Sequence, residues 1–211
     1  MNKSYLKRKE KILITAIDIV DQAGSQGMTT KEIARRNNIS EPAIYKQFKS
    51  KQEIVTGVLE KYAAFDELIR NTVLQAHISG CEGLELFYRA YADYYQNYPQ
   101  ITSILFTFDL YRYDLDTAKF MQDLIARRKD TLLVLVERAI SNGELLPDTD
   151  AATMAEILFA TLIGTIFHWK LGEVNFTLTQ QLIEELRMLV GNKVIAKGGA
   201  ACQTIQLGFG K

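Results

Sequence analysis

The side chains that most often perform catalysis or bind metals are scarce in this sequence. It holds two histidines, His77 and His168, and two cysteines, Cys81 and Cys202, which lie far apart and lack the CxxC spacing of a zinc site. No glycine-rich phosphate loop and no nucleophile motif accompanies them. We therefore expect no catalytic residue, no metal and no cofactor, and packing is the simplest role for Cys81.

Side chains suited to DNA are concentrated between residues 29 and 51. Hydroxyl groups, ammonium groups and helix N-termini bind backbone phosphates, and the candidates are Thr29, Thr30, Ser40, Tyr45, Lys49 and Lys51. The candidates for base edges are Glu41, Pro42, Ala43, Lys46 and Gln47. Lys46 can donate to guanine and Gln47 to adenine, the Ala43 methyl can contact thymine, and Glu41 can accept from cytosine.

Two of these positions have simpler alternatives. Tyr45 could pack as an ordinary core aromatic. Glu41 is an acid in the first turn of a helix, which is favourable without any ligand, and phosphates would repel it.

Three short elements must position these side chains. Thr29 and Glu32 form a capping-box pattern that opens a helix, and Asn38 occupies a turn where a positive φ is needed. Ser40 can then cap another helix, in which the early Pro42 needs no intrahelical donor. The residues spaced to pack these helices together are Ile33, Ala34, Ile39, Ile44 and Phe48. This is the pattern of a helix-turn-helix.

Flanking helices complete a small N-terminal unit. A first helix is expected from residue 4 to 23, ended by Gly24, and its start is rich in lysine. A second capping-box pattern, Ser50 with Glu53, opens a long helix that continues through Ile69.

The segment MTTKEIARRNNISEPAIYKQFKSKQEIV resembles the DNA-binding signature of the TetR/AcrR family of repressors. The resemblance spans roughly residues 8 to 60 and joins the Thr-Thr opening, Ile33-Ala34, a turn that ends at Ser40, Tyr45 followed by Phe48, and Lys51 with a hydrophobic residue three positions later. The sequence departs from the family in the turn, where Asn37-Asn38 replaces the usual glycine.

The resemblance implies an all-α protein that reads DNA as a homodimer. It points to Tyr45 and Lys51 as phosphate contacts and adds Lys31 as a base contact. Two copies would read half-sites separated by about one helical turn or a multiple of it. It further implies that a small effector changes the separation of the two recognition helices.

Beyond residue 69 the sequence predicts further helices at 82–98, 100–110, 117–142, from Asp148 or Asp150 to 171, and at 179–190. We divide the chain into a DNA-binding domain (1–62, with the helix-turn-helix at about 29–48), an effector-binding and dimerisation domain (63–196) and a flexible tail (197–211).

The last two of these helices are the expected dimer interface, from spacing and from the family's plan. The candidates are Ala155, Leu158, Phe159, Leu162, Ile166, Leu182, Leu186 and Leu189. The segment ILFATLIGTIF is apolar around most of a helix, as expected between its own domain and a partner, although an intramolecular core helix has the same pattern.

Aromatic residues cluster between positions 84 and 125, and apolar walls with a few phenols suit a hydrophobic or aromatic effector. The pocket candidates are Phe87, Tyr88, Tyr91, Tyr95, Phe106, Phe120 and Phe167. Ordinary core packing is the alternative for each of them.

Composition sets the remaining limits. The 211 residues carry no net charge, but residues 1–60 hold eleven Lys or Arg against seven Asp or Glu, which suits a polyanion. No stretch reads as a membrane span or a signal peptide, so we expect a cytoplasmic protein that partners with double-stranded DNA, itself and a small molecule. The alternatives are an architectural DNA-binding protein without an effector and an enzyme.

Overall fold

The computed structural model describes residues 7–172 and 176–191. The helices within them are α1 (Arg8–Gly27), α2 (Thr30–Asn37), α3 (Glu41–Tyr45), α4 (Lys51–Gln75), α5 (Gly80–Asn97), α6 (Pro99–Phe106), α7 (Leu115–Ser141), α8 (Ala151–Leu171) and α9 (Leu178–Gly191). The chain is all-α, as the sequence predicts. The expected tail 197–211, with Cys202, lies outside the described residues.

Most predicted helix ends fall within a few residues of the observed ones, and one predicted helix is divided. The helix expected at 100–110 ends at Phe106, and a 3-10 turn follows at Phe108–Leu110. The Thr107 hydroxyl donates to the carbonyl oxygen of Ser103 at 2.6 Å, and this side-chain bond competes with continuation of the helix. Gly24 breaks α1 with a φ of 64°, and one further turn runs to Gly27.

Helices α1 to α3, together with the turn that ends at Phe48, form what we call the trihelical unit. Ile12 and Ile19 of α1 pack into the same core as Ile33, Ile44 and Phe48. The hydrophobic residues predicted to join α2 to α3 are therefore buried, except that Ile39 is half-buried.

Helix α4 leaves the trihelical unit and forms a bundle with α5 to α9. It is continuous from Lys51 to Gln75, so the predicted domain boundary at residue 62 falls inside it. Helices α5 and α7 approach closely at Gly80, where a Cβ atom would lie 2.2 Å from the backbone nitrogen of Ala139. Glycine is required there because any side chain would overlap the facing backbone.

A polar cluster joins the trihelical unit to the bundle. Asp21 of α1 accepts hydrogen bonds from the Ser103 hydroxyl at 2.5 Å and from the Lys170 ammonium at 2.6 Å. Lys170 also donates to the carbonyl oxygen of Pro99 at 2.9 Å. Helix α1 is thereby tied to both α6 and α8.

Helix α8 is apolar enough to pass a test for membrane spans, whereas the sequence analysis predicted no such stretch. In the described part of the chain it is the one helix long and apolar enough to cross a membrane by length and composition alone. A core helix of a bundle passes the same test, and α8 packs against α7, α9 and α6.

Candidate nucleic-acid interface

The turn between α2 and α3 sets the angle of the helix-turn-helix. Asn38 adopts the predicted left-handed conformation, with φ 54° and ψ 45°, and its N–H donates to the carbonyl oxygens of Ala34 and Arg35. Asparagine tolerates this region better than most residues other than glycine. The departure from the family's usual glycine therefore leaves the turn intact.

The predicted capping boxes of α2 and α4 are each half formed. The Thr29 side chain accepts from the N–H of Glu32, and the Ser50 side chain accepts from the N–H of Glu53, both at 3.1 Å. The Glu53 carboxylate binds the N–H of Lys49 instead of that of Ser50. At the N-cap of α3, the side chain of Ser40 makes no capping hydrogen bond, contrary to the sequence prediction.

The carboxylate of Glu32 organises the charges on α2. It binds Arg35 and Arg36, in each case with a shortest contact of 2.7 Å. The hydrogen bonds from these two guanidinium groups lower the pKa of Glu32 to about 2. Arg36 also donates to Gln22 of α1 at 2.7 Å, so both arginines are engaged within the trihelical unit.

Four lysines border the outer surface of α2 and α3. Lys31, Lys46, Lys49 and Lys51 are all exposed. None of the ion pairs among the described residues involves any of them. The surface around α3 therefore presents cationic groups that no carboxylate of the described chain neutralises.

The remaining residues predicted to contact DNA differ in their exposure. Pro42, Tyr45, Thr29 and Ser40 are exposed, while Ala43 and Gln47 are half-buried. Tyr45 has an exposed fraction of 51%, which does not match the alternative of a packed core aromatic.

Thr30 and Glu41 form a pair that the sequence analysis missed. The Thr30 hydroxyl donates a short hydrogen bond to the Glu41 carboxylate, which joins the first turns of α2 and α3. The Thr30 hydroxyl would have to leave this bond to reach a phosphate. The Glu41 carboxylate is held by α2 instead of extending from the surface.

The predicted pocket aromatics are distributed over α5, α6, α7 and α8. Phe87, Tyr88, Tyr91 and Tyr95 are buried in the core of the bundle. Phe106 and the partly exposed Phe167 form an edge-to-face pair at 5.1 Å between ring centres, on α6 and α8. The remaining candidate, Phe120, is half-buried on α7.

A cleft between α4, α5 and α7, which we call the α4–α7 cleft, includes two of these aromatics. It has a volume of about 240 Å³, including space open to solvent, and its walls are Asp66, Glu67, Arg70, Phe87, Tyr91, Arg127, Arg128 and Thr131. It is more strongly charged than the apolar pocket that the sequence predicts.

The floor of this cleft is a buried ion pair. The Arg128 guanidinium, with an exposed fraction of 2%, donates to both carboxylate oxygens of Asp66, at 2.5 and 3.0 Å. The Tyr91 hydroxyl donates a short hydrogen bond to the same carboxylate. Arg128 also donates to the hydroxyl of Tyr62 at 2.9 Å. That hydroxyl is in turn hydrogen-bonded to the hydroxyl of Tyr95 at 3.1 Å. Burial raises the pKa of Tyr62 and of Tyr91 well above the usual value, so both phenols remain protonated.

The sequence does contain a signal for this pair. Asp66 falls on the apolar stripe of α4 that includes Tyr62, Ile69 and Val73, and Arg128 falls on the apolar stripe of α7. A single charge on an otherwise apolar stripe indicates a buried partner of opposite charge on a facing helix. Only the packing of α4 against α7 identifies which partner it is.

The predicted dimer residues mostly lie inside this chain's own core. The buried ones are Ala155, Leu158, Leu162, Ile166, Leu182 and Leu186, whereas Phe159 and Leu189 are half-buried. Apolar periodicity marks the most buried side of a helix, and here that side faces the neighbouring helices of the same chain. The apolar residues exposed on α8 and α9 are instead Ile157, Phe167, Leu171 and Met188.

The fold and this surface define a helix-turn-helix DNA-binding protein with an all-helical second part. Residues 12–58 match the sequence model of the bacterial regulatory proteins of the tetR family. The chain is 30% identical to the class C tetracycline repressor of Escherichia coli over 53 residues. This alignment covers 25% of this chain and 24% of that protein. The N-terminal part of the chain is therefore similar to the DNA-binding region of the TetR family of bacterial transcriptional regulators.

Other similarities extend over most of the chain. The chain is 27% identical over 185 residues to a nucleoid occlusion factor of Sodalis glossinidius, covering 85% of this chain and 90% of that one. The structure of the ketosteroid transcriptional regulator of Mycobacterium tuberculosis matches with a TM-score of 0.76 and 16% identity, over 90% of this chain and 96% of that one. The structure of the transcriptional regulator FadR of Bacillus subtilis, solved with stearoyl-CoA, matches with a TM-score of 0.73 and 18% identity. The match covers 87% of this chain and 98% of that one.

Proposed function

We propose that this regulator is a repressor that binds a palindromic operator as a homodimer. The observation that carries this proposal is the set of exposed lysines around α3, which have no ion-pair partner among the described residues. Helix α3 would enter the major groove, where Lys46 and Gln47 reach base edges. Tyr45, Lys49 and Lys51 would hold the flanking phosphates.

We further propose that residues 1–62 act as the DNA-binding domain and 63–196 as the domain for dimerisation and effector binding, in a cytoplasmic protein. One small DNA-binding domain buries little surface, so useful specificity needs two copies. The second part supplies the necessary exposed apolar face on α8 and α9.

That face replaces the buried residues of our sequence prediction as the proposed interface. On α8 it follows Ile157, Ala160, Gly164 and Leu171 at helical spacing, and on α9 it includes Met188. Nothing lies within 4 Å of the position that a Cβ atom of Gly164 would take, so the helix surface is open there. The same face on a second copy could pack closely against it in a symmetric dimer.

The proposed effector is a small hydrophobic or aromatic molecule. The similarity in fold to a fatty acid regulator solved with stearoyl-CoA supports this. Binding would change the separation of the two α3 helices and so release the operator.

A second candidate function is chromosome binding without an effector. Its support is the similarity to a nucleoid occlusion factor over 85% of this chain. This alternative predicts many binding sites along a chromosome and no response to small molecules.

Binding to DNA fragments separates these functions. The purified full chain is titrated by fluorescence anisotropy with duplexes from its own upstream region and with random duplexes of equal length, at moderate salt. A repressor prefers a palindrome in the upstream region. Selection of fragments scattered along the chromosome would favour the second candidate, and equal affinity for every duplex would contradict both.

A further inference from the structure

Near its end, helix α1 contacts two helices of the bundle through one carboxylate. Asp21, three residues before the break at Gly24, accepts from the Ser103 hydroxyl of α6 at 2.5 Å and from the Lys170 ammonium of α8 at 2.6 Å. Lys170 also donates to the carbonyl oxygen of Pro99, the first residue of α6, at 2.9 Å. We call Asp21, Ser103, Lys170 and this carbonyl group the junction cluster.

The junction cluster is partly shielded from water. The side chains of Asp21 and Lys170 retain exposed fractions of 21% and 24%, whereas those of the ion pair Lys129–Glu156, between α7 and α8, retain 35% and 60%. Water and salt screen exposed pairs strongly, and such pairs contribute little to holding a structure. The junction cluster is therefore a stronger attachment than the exposed pair.

Helix α1 is attached to the rest of the chain near both of its ends. Near its start, Glu10 pairs with Lys61 of α4 at 3.1 Å. Near its other end, Asp21 holds α6 and α8. The packing of Ile17 in the common core adds contact area, but hydrophobic association is not directional, whereas hydrogen bonds weaken steeply with angle. Two separated polar attachments fix the direction of a helix, while a single one would let it pivot.

Lys170 lies in the last turn of the helix that carries the proposed dimer face. Phe167 and Leu171 on this turn have exposed fractions of 41% and 51%, and Leu171 belongs to that face. Lys170 instead donates to Asp21 of α1. The same turn of α8 therefore contacts α1 and also carries apolar residues that are available to a second copy.

The direction of α1 determines the direction of α3. Ile19 of α1 shares one core with Ile33 of α2 and Ile44 of α3, so the trihelical unit moves as one body. In a dimer formed through α8, a trihelical unit held at the junction cluster keeps its α3 helix at a set distance and angle from the α3 helix of the second copy.

We propose that Asp21, Ser103 and Lys170 are positioning residues, which select the spacing between the two operator half-sites by fixing each trihelical unit on α8. Their effect on DNA rests on the proposed repressor function, and it requires no effector. One added base pair moves a half-site by about 3.4 Å and turns it by about 34°. Two α3 helices held at the junction cluster cannot follow such a shift without straining or breaking its hydrogen bonds.

The first test needs neither DNA nor a dimer. Nitroxide labels are attached to Lys31→Cys on α2 and Glu137→Cys on α7, both exposed positions, after Cys81 and Cys202 have been replaced by serine. Double electron–electron resonance of this chain, diluted with an excess of unlabelled chain, measures the distance from the trihelical unit to the bundle. We expect one narrow distance distribution.

Variants of the junction cluster should broaden this distribution. Asp21→Asn and Lys170→Met should each do so, and the double variant should be no broader than either one, because both changes remove the same bond. Lys170→Arg keeps the charge and should remain narrow. Lys129→Met, the matched control, removes an ammonium group from the exposed pair with Glu156 and should also remain narrow. Equal widths in all variants would overturn the inference.

The second test measures the spacing preference. Anisotropy titrations compare the selected operator with operators that have one base pair inserted or removed between the half-sites. A charge-assisted hydrogen bond contributes about 1.5 kcal/mol, which corresponds to about tenfold in affinity. The loss of affinity on altered spacing should therefore be about tenfold smaller in Asp21→Asn than in the wild-type chain.

A role of Asp21 in stability alone would lower the affinity for all spacings by the same factor. Equal spacing penalties in Asp21→Asn and the wild-type chain would thus contradict the inference, even if Asp21→Asn binds the unaltered operator more weakly.

The two proposals fail in different ways. A wild-type chain without operator preference contradicts the repressor, whereas the label distances still show whether the junction cluster holds the trihelical unit. Specific operator binding, with label distances and spacing penalties that Asp21→Asn does not change, leaves the repressor intact and overturns the role of the junction cluster.

Discussion

The lysines around α3 differ in what each can do on DNA, although all four are exposed. Lys46 lies immediately after α3, among the residues that we propose for base edges. Lys51 begins α4, where the helix N-terminus adds backbone donors for a phosphate. We therefore expect substitution of Lys46 to affect DNA affinity in a sequence-dependent way, and substitution of Lys51 to affect it equally for all sequences.

Lys51→Ala should weaken binding to every duplex and lower the salt dependence of binding by about one unit of slope, because one phosphate contact is lost. The measurement is anisotropy at several salt concentrations, with operator and random DNA. Lys119→Ala removes an exposed lysine of α7 and serves as the control. An unchanged slope in Lys51→Ala would remove Lys51 from the phosphate contacts.

Lys46→Ala should instead change the preference at particular base pairs, by about 1 to 3 kcal/mol each. A panel of operators with single base-pair changes measures this effect. If all operators lose affinity equally, Lys46 contacts the backbone and not a base.

At the scale of elements, α2 depends on one carboxylate. Glu32 donates its N–H to the Thr29 cap and binds Arg35 and Arg36 through its side chain. Its negative charge in the first turn also suits the helix dipole. The stability of α2, and with it the placement of α3, is thereby linked to pH.

The pKa of Glu32 is lowered to about 2 in the folded chain, so this carboxylate stabilises the fold fully above its usual pKa of 4.5. The contribution should be lost as the pH falls from 4.5 towards 2, because the unfolded chain binds the proton first. Chemical unfolding of wild-type and Glu32→Gln chains across this range should show their free energies of unfolding converging.

Glu60→Gln is the matched control, since Glu60 is exposed on α4. Its difference from the wild-type chain should stay nearly constant over the same pH range. If Glu32→Gln behaves in the same way, the arginine pairs of Glu32 do not stabilise α2.

At the scale of the whole molecule, the exposed apolar face of α8 and α9 is the proposed dimer interface. Exposed fractions of 44% for Ile157 and 74% for Met188 leave both side chains available to a partner. Asp21 and Lys170 connect the C-terminal end of α8 to the trihelical unit. A dimer formed here would therefore fix the positions of both α3 helices.

Ile157→Asp should yield a monomer of 23.9 kDa by light scattering, and we expect the wild-type chain to have twice that mass. A carboxylate buried against the partner without a cation is strongly unfavourable. Leu115→Asp, at a position 88% exposed on α7, should remain dimeric. A dimeric Ile157→Asp would move the interface away from α8.

The sequence by itself determined the features that depend on neighbouring residues. The left-handed turn at Asn38, the caps at Thr29 and Ser50 and the core of the helix-turn-helix follow from side chains within a few positions of each other. Local hydrogen bonds and helical periodicity are sufficient to fix them. The capping box of α5, Ser79 with Glu82, has an equally local signal.

Only the tertiary structure decided which groups meet across helices. Asp66 and Arg128 are 62 positions apart, and nothing near either residue in sequence names its partner. Leu158 and Leu162 carry the same apolar signal whether they face their own bundle or a second copy, and here they face their own. Periodicity gives the side of a helix that is buried, whereas the packing of α4, α7, α8 and α9 determines what buries it.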